Sequence, residues 1–273
     1  MIINRPNATS YFDIDKIVVD FMAICESKHY ITENEKLSED QQERYHQYIQ
    51  IMSKIDWPAY LNRDTIFHLQ IIEEYENTGK EGVVDLIYSY YDPAFLLSLE
   101  NQLSCSEVIR AERFPILKEA FLLHHLGYYY GSVSILIPQI YGIISDINRY
   151  LRSIDEDYDP DTVEIVRKRY GYEYDNEISK IVTAVIEGEG IDNEREGYGY
   201  LANYFRFRIF NDLSPKSAEH NPSRHMICHG RQLNFGTREH SLKTIICIDA
   251  LATIADMIAE DIKEGRPWLE ENK

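Results

Sequence analysis

Apolar residues recur at helical spacing along most of this chain. Between residues 11 and 30, Ile17, Val18, Phe21 and Ile24 predict a first helix among acidic neighbours. Residues 31–44 are polar and charged, a predicted loop that re-enters a helix at Ser38. That helix gathers Tyr45, Tyr48, Ile49, Met52 and Ile55 on one side. It ends before Trp57-Pro58, because the residue preceding proline avoids helical geometry. Further helices are predicted from Asn62 to Tyr75 and from Glu81 to Tyr91. Asp92-Pro93 then supplies a cap and a start for a helix running to about Leu103.

The pattern is strongest between Ser106 and Leu151. Pro115 starts or kinks a helix reaching Leu126, with Leu117, Ala120, Phe121 and then His124 on its apolar stripe. Gly127 to Gly131 is a predicted break. Ser132 opens the next helix, through Val133, Leu136, Ile140, Ile143, Ile144 and Ile147, bent at Pro138. The two form a helical hairpin. Residues 153–196 are acidic, with Asp155, Glu156, Asp157, Asp159 and Asp161 clustered, and read as an insertion holding short helices at Val163–Tyr170 and Glu177–Ile186. Tyr200 to Phe210 returns to an apolar, aromatic pattern.

Asn221-Pro222 has the residue types of a helix cap followed by a first helical position, and Gly230 those of a helix stop. About two turns of helix are predicted between them, followed by a loop from Arg231 to Gly236. Thr237 then caps a long apolar helix from Arg238 to about Lys263, with a charged tail beyond.

This pattern predicts an all-α protein. With 273 residues, 44% of them hydrophobic, the chain has room for one large or two small domains and can bury a core. Only 9 Pro and 13 Gly leave little scope for long loops. The predicted division is an N-terminal helical region, 1–105, and a helical domain, 106–265, with the acidic insertion at about 152–196. The N-terminal helices either pack on the rest as one body or form a sensing and partner-binding module.

The formal charge of −18 argues against broad adhesion to nucleic acid or anionic membrane. It is unevenly placed. From Leu201 to Ile245, Arg206, Arg208, Lys216, Arg224, Arg231, Arg238 and Lys243 face only Asp212, Glu219 and Glu239. That window is net +4 and the remaining chain −22. A pocket for a phosphate or polyanion needs such a balance, although short windows also fluctuate by chance. The four cysteines, Cys25, Cys105, Cys228 and Cys247, have no CxxC spacing and suggest reduced thiols in a cytoplasmic protein. No signal-like segment stands at the N-terminus. The most apolar helices carry Asp249 and Asp256, or Pro138 and Asp146, and are expected in a core rather than a membrane.

Arg224-His225-x3-His229 is the stretch best suited to chemistry. Arg224 and His229 stand roughly 140° apart around a helix, whereas His225 and His229 share a face. Cleaving RNA without a metal requires a base for the 2′-hydroxyl, an acid for the leaving 5′-oxygen, and a cation for the charge on phosphorus. Histidine is suited to proton transfer near neutral pH. Arginine presents a fixed fork of donors to phosphate oxygens. His229 is accordingly assigned acid–base work, Arg224 the phosphate, and His225 a supporting hydrogen bond. Arg231, Arg238, Lys243 and Asn221 are expected substrate contacts. The bland alternative is that Arg224 and the histidines pair with the many acids of the chain.

The same stretch resembles the R-x4-H motif of the HEPN superfamily, whose active members are ribonucleases and in which a polar residue usually follows the Arg. Thr237 to Leu251 is similar to the apolar final helix of that family. Phe121 to Ser145 looks like the hairpin that precedes the motif in bacterial HEPN proteins of abortive-infection type. A Glu commonly precedes the Gly of that second helix; here Tyr141 precedes Gly142, removing a candidate acidic partner. The resemblance covers roughly 106–262. It implies a HEPN-like helical bundle with additional N-terminal helices, acting as a homodimer with two motifs across one cleft. It further implies an endoribonuclease leaving 2′,3′-cyclic phosphate with no metal or cofactor, in the manner of a defence or toxin effector. An RNA substrate, and a trigger or antitoxin partner, follow from the same resemblance.

Two other readings stand beside it. One is a non-catalytic HEPN-like binding or regulatory protein. The other is a metal-dependent hydrolase with His225 and His229 as ligands and Cys228 or His240 completing the shell. Met226 occupies the place of the Glu in H-E-x-x-H hydrolases. No Walker loop, Rossmann fingerprint or Gly-x-Ser-x-Gly elbow is present. Glu196 to Asn203 fails the RNP1 pattern at both ends, and the 21 tyrosines are expected chiefly to pack helix faces.

Overall fold

The computed structural model describes residues 39–59, 65–157, 200–201 and 203–263. The helix expected at 11–30, most of the acidic insertion with its two short helices, and the charged tail lie outside the described residues. Those described are helical, with no strand among them, so the fold is all-α. No helix among them is long and apolar enough to cross a membrane.

Four helices come first: α1 (Glu39–Ile55), α2 (Thr65–Thr78), α3 (Lys80–Tyr90) and α4 (Pro93–Cys105). Asp92 caps α4 as its sequence suggested, its Oδ1 accepting from the Phe95 amide at 2.8 Å. The hairpin follows as α5 (Phe114–His125) and α6 (Tyr129–Asp157). Its break is shorter than Gly127–Gly131. Gly127 takes φ +79 and the chain is helical again at Tyr129, which places Ser132 and Pro138 inside α6. After the acidic segment, the chain returns through a π-turn (Phe205–Ile209) to two short helices, α7 (Pro215–Ala218) and α8 (Arg224–Cys228). The last helix is α9 (Arg238–Lys263), started by Thr237, whose Oγ1 accepts from the His240 amide.

Every residue of α9 from His240 to Ala252 is buried. A helix buried around its whole circumference belongs at the centre of a bundle. It packs on α6, α5 and α4, and α6 packs on α5. Leu136, Ile137, Ile140, Ile143, Ile144 and Ile147 line the buried face of α6. The N-terminal helices share this core: Tyr48, Met52, Trp57, Phe67, Ile87 and Leu99 belong to the same buried cluster as Ile246 and Leu251. Polar contacts cross the expected boundary at 105 as well. Tyr91 donates to Asp249 at 3.0 Å and Gln102 to Asp256 at 2.8 Å.

Arg113 anchors the start of α5 to α6. Its Nε donates to Asp146 at 2.6 Å and an Nη to Gln139 at 2.9 Å. Gly142 makes room for this guanidinium: a Cβ there would collide with an Arg113 nitrogen. The residue before it, Tyr141, faces the candidate site.

Candidate active site

The R-x4-H helix is held at both ends by local chemistry. At its start, the Ser223 Oγ accepts from the Met226 amide at 3.2 Å and donates to the Asn211 carbonyl at 2.6 Å. Ser223 is therefore the cap, and not Asn221. The helix is just over one turn, shorter than the two expected, because Asn221 and Pro222 lie outside it. At its end, Gly230 takes φ +67, as its position suggested. The Arg231 amide donates to Met226 O at 2.7 Å and the Gly230 amide to Ile227 O at 3.0 Å, the paired bonds of a left-handed helix stop.

Gln232 joins the two ends. It is buried, and its Oε1 accepts from the Ser223 amide at 2.9 Å. Its Nε2 donates to Ala218 O at 2.7 Å and Asn221 O at 2.9 Å. Sequence reasoning missed Gln232, since a lone glutamine in a loop carries no signal of such a clamp.

The motif side chains divide between two environments. The Arg224 guanidinium lies over the Tyr141 ring of α6, its Cζ 5.0 Å from the centroid. No carboxylate pairs with Arg224 among the described residues, and its buried Nε has no hydrogen-bond partner there. The Tyr141 hydroxyl is likewise buried and unpartnered. Burial raises its pKa, with the Arg224 charge opposing.

His225 and His229 sit on the outer side. Their rings meet edge to face with centroids 4.6 Å apart, as their four-residue spacing foretold. His225 Nε2 lies 3.8 Å from Asp212 Oδ1. Asp212 also accepts both Arg231 Nη groups, at 2.7 and 3.0 Å. Asp212 is thus an acid of the site that entered the sequence argument only as a charge.

The expected substrate contacts are scattered. Arg231 is exposed but paired with Asp212. Arg238 stacks over Tyr88 of α3, 4.1 Å from its centroid, away from the Arg224–Tyr141 pair. Burial, and then the Glu239 charge, push the Tyr88 hydroxyl up to about 12. Lys243 is fully buried. Its ammonium donates to His220 O at 2.7 Å, pairs with Glu239 at 2.9 Å and stands 5.0 Å from the centre of the Trp57 ring. Burial lowers the Lys243 pKa, with Glu239 opposing. Burial raises that of Glu239, but Lys243 and His220 together oppose it and hold the carboxyl below its ordinary value. Asn221 is also fully buried, accepting from Tyr204 at 2.9 Å and donating to Asp56 at 2.6 Å.

The metal-binding alternative finds no assembled shell. Among the described residues, no group of three or more His, Cys, Asp or Glu side chains converges to hold an ion. Cys228 is exposed on α8 and His240 is buried in α9. The arrangement does offer an arginine with uncommitted donors at the start of a short helix that carries one imidazole, His225, with a second, His229, at its C-terminal cap. Chemically it can bind an anionic oxygen and exchange protons.

No protein-family model matches the chain, and no curated protein or solved structure is significantly similar to it.

Proposed function

We propose that this protein is a metal-independent endoribonuclease of HEPN type, with Arg224 and His229 as its reacting pair. The supporting observation is Arg224. In a chain with 46 acids and only 28 Lys and Arg, its guanidinium has no carboxylate partner among the described residues and rests on an aromatic ring. An arginine held on a π-face stays charged and oriented while its edge donors stay available to an anion.

In the proposed reaction His229 takes the proton of a ribose 2′-hydroxyl. The 2′-oxygen attacks the adjacent phosphorus, and the bond from phosphorus to the 5′-oxygen breaks. A protonated imidazole returns a proton to that leaving oxygen. Arg224 carries the extra negative charge on the phosphoryl oxygens. His225, beside His229 and facing Asp212, orients the pair. A second copy of the chain across the cleft supplies the second motif, making the active form a homodimer. The acidic surface elsewhere keeps RNA from binding outside the cleft. The setting is cytoplasmic, and cutting answers a trigger or awaits release from an antitoxin.

The non-catalytic reading draws support from the commitments of Lys243 and Arg231 to carboxylates, which leave less basic surface than the charge count suggested. The two readings separate in a cleavage assay on wild type, Arg224→Ala and His229→Ala, each with and without EDTA. Loss of cutting in both variants with indifference to EDTA is expected. If wild type cuts nothing, expression toxicity of wild type against the two variants decides, and equal growth would leave only a binding protein.

A further inference from the structure

Asp56 stands at the end of α1, far from the motif in sequence, and among the described residues it alone of the non-glycines has positive φ, at 61°. The Trp57 amide donates to Met52 O at 3.0 Å and the Asp56 amide to Ser53 O at 3.2 Å. These are the paired bonds of a left-handed helix stop, a position where glycine is favoured because it has no Cβ. An aspartate tolerates that conformation at a cost. The backbone therefore gives no reason for the carboxylate.

The side chain does. One oxygen accepts from Arg208 Nε at 2.8 Å and the other from Asn221 Nδ2 at 2.6 Å. Burial raises the carboxyl pKa, but these two donors outweigh it and leave it below the ordinary value. From Asn221 the connection continues. Its backbone carbonyl accepts from Gln232 Nε2, and the Gln232 amide oxygen accepts from the amide of Ser223, the cap of α8. Tyr200 grips the same turn of α1, its hydroxyl shared between Met52 O at 3.2 Å and Trp57 O at 2.7 Å.

We propose that Asp56 is a positioning residue for the Arg224/His229 site, acting through Asn221 and Gln232 on the cap of the motif helix. The N-terminal helices are then part of what sets the geometry of the site. This rests on the ribonuclease reading only for its kinetic consequence; the mechanical link stands on the hydrogen bonds alone.

Asp56→Gly is the natural test. Glycine suits φ 61° and keeps the helix stop, so the variant removes the carboxylate and leaves the backbone content. Its unfolding is expected to stay cooperative. Cleavage should lose about tenfold to a hundredfold in kcat with little change in KM, as for a reacting group displaced without loss of binding surface. Asn221→Ala should do the same, and the double variant should lose no more than either alone. Independently of any activity, the imidazole signals of His225 and His229 and the Arg224 Nε–H signal should shift alike in both single variants. Should Asp56→Gly not fold, Asp56→Asn replaces it: asparagine tolerates the same backbone but cannot accept from both donors, and the same shifts are expected. Unmoved signals in a folded variant, or wild-type kcat, overturn the proposal. A wild type that never cuts removes the ribonuclease reading, and the spectroscopic comparison then decides this one.

Discussion

Arg224 and Tyr141 form a stacked pair across α8 and α6, with the guanidinium carbon 5.0 Å from the ring centroid and two buried polar atoms, Arg224 Nε and Tyr141 Oη, left without partners. A carboxylate in place of Tyr141 would neutralise Arg224, whereas the ring supports its charge and leaves its donors unused. Tyr141→Phe keeps the ring and removes an unsatisfied hydroxyl. It is expected to be as stable as wild type or more so, by up to about 1–3 kcal/mol, with cleavage retained. Tyr141→Leu removes the π-face and should weaken phosphate binding. Urea titration and cleavage assays on both variants check the pair.

Asp249 makes stability depend on pH. Burial in α9 pushes its carboxyl up to about 7, with the Tyr91 hydrogen bond opposing. The folded state holds this proton more tightly than the unfolded one. Stability from this group is therefore full below its ordinary value near 4 and is lost as pH rises through about 7. His124 acts in the opposite sense over the same window. Burial lowers its pKa to about 4, so its contribution is present above its unfolded value and is lost as pH falls. Asp249→Asn should remove the first effect alone, flattening the decline and raising stability at pH 8 by roughly 2–4 kcal/mol. Thermal unfolding of wild type and variant between pH 5 and 8 measures the difference; parallel curves would contradict it.

Lys243 separates a charge count from a contact. Its ammonium is engaged by Glu239, His220 and Asn221 inside the protein. Lys243→Met should leave the Glu239 carboxylate without its partner and cost about 3–5 kcal/mol, while Lys243→Met combined with Glu239→Gln recovers much of it. The salt dependence of RNA binding should be unchanged. A Lys243 variant of wild-type stability with a shallower salt dependence would return this residue to the substrate surface.

Gln232 should matter more than its place in a loop suggests. Gln232→Ala leaves the Ser223 amide and the Ala218 and Asn221 carbonyls unpaired in a buried setting, an expected loss of about 2–4 kcal/mol. Ser223→Ala should cost about 1 kcal/mol, the usual loss for a helix cap. Denaturant unfolding of the two variants gives the ranking, and a Gln232 variant as stable as wild type would refute the clamp.

What could be seen in the sequence was mainly local. Periodicity located α1 through its buried face, Asp92 and Thr237 announced the helices they cap, and Gly230 announced a stop. The spacing of His225 and His229 was enough to place their rings together. Asn221 shows the limit of such reasoning. Its type suits a helix cap, but Asp56 and Tyr204 take its side chain, and Ser223 caps instead. Partners so distant in sequence leave no trace in a short window. Lys243 was misleading for a different reason. Its flanking Ile245, Ile246 and Leu242 already indicated a helix buried on all sides, and a window of net charge cannot register burial. Asp212 was visible as an acid, and only the fold brings it against both Arg231 and His225.

The most direct measurement is the chemical nature of the ends produced when purified wild type and Arg224→Ala act on RNA in EDTA. Wild type is expected to leave 2′,3′-cyclic phosphate ends and the variant none. Cleavage abolished by EDTA, fragments ending in a free 3′-hydroxyl, or undiminished cutting by Arg224→Ala would contradict it.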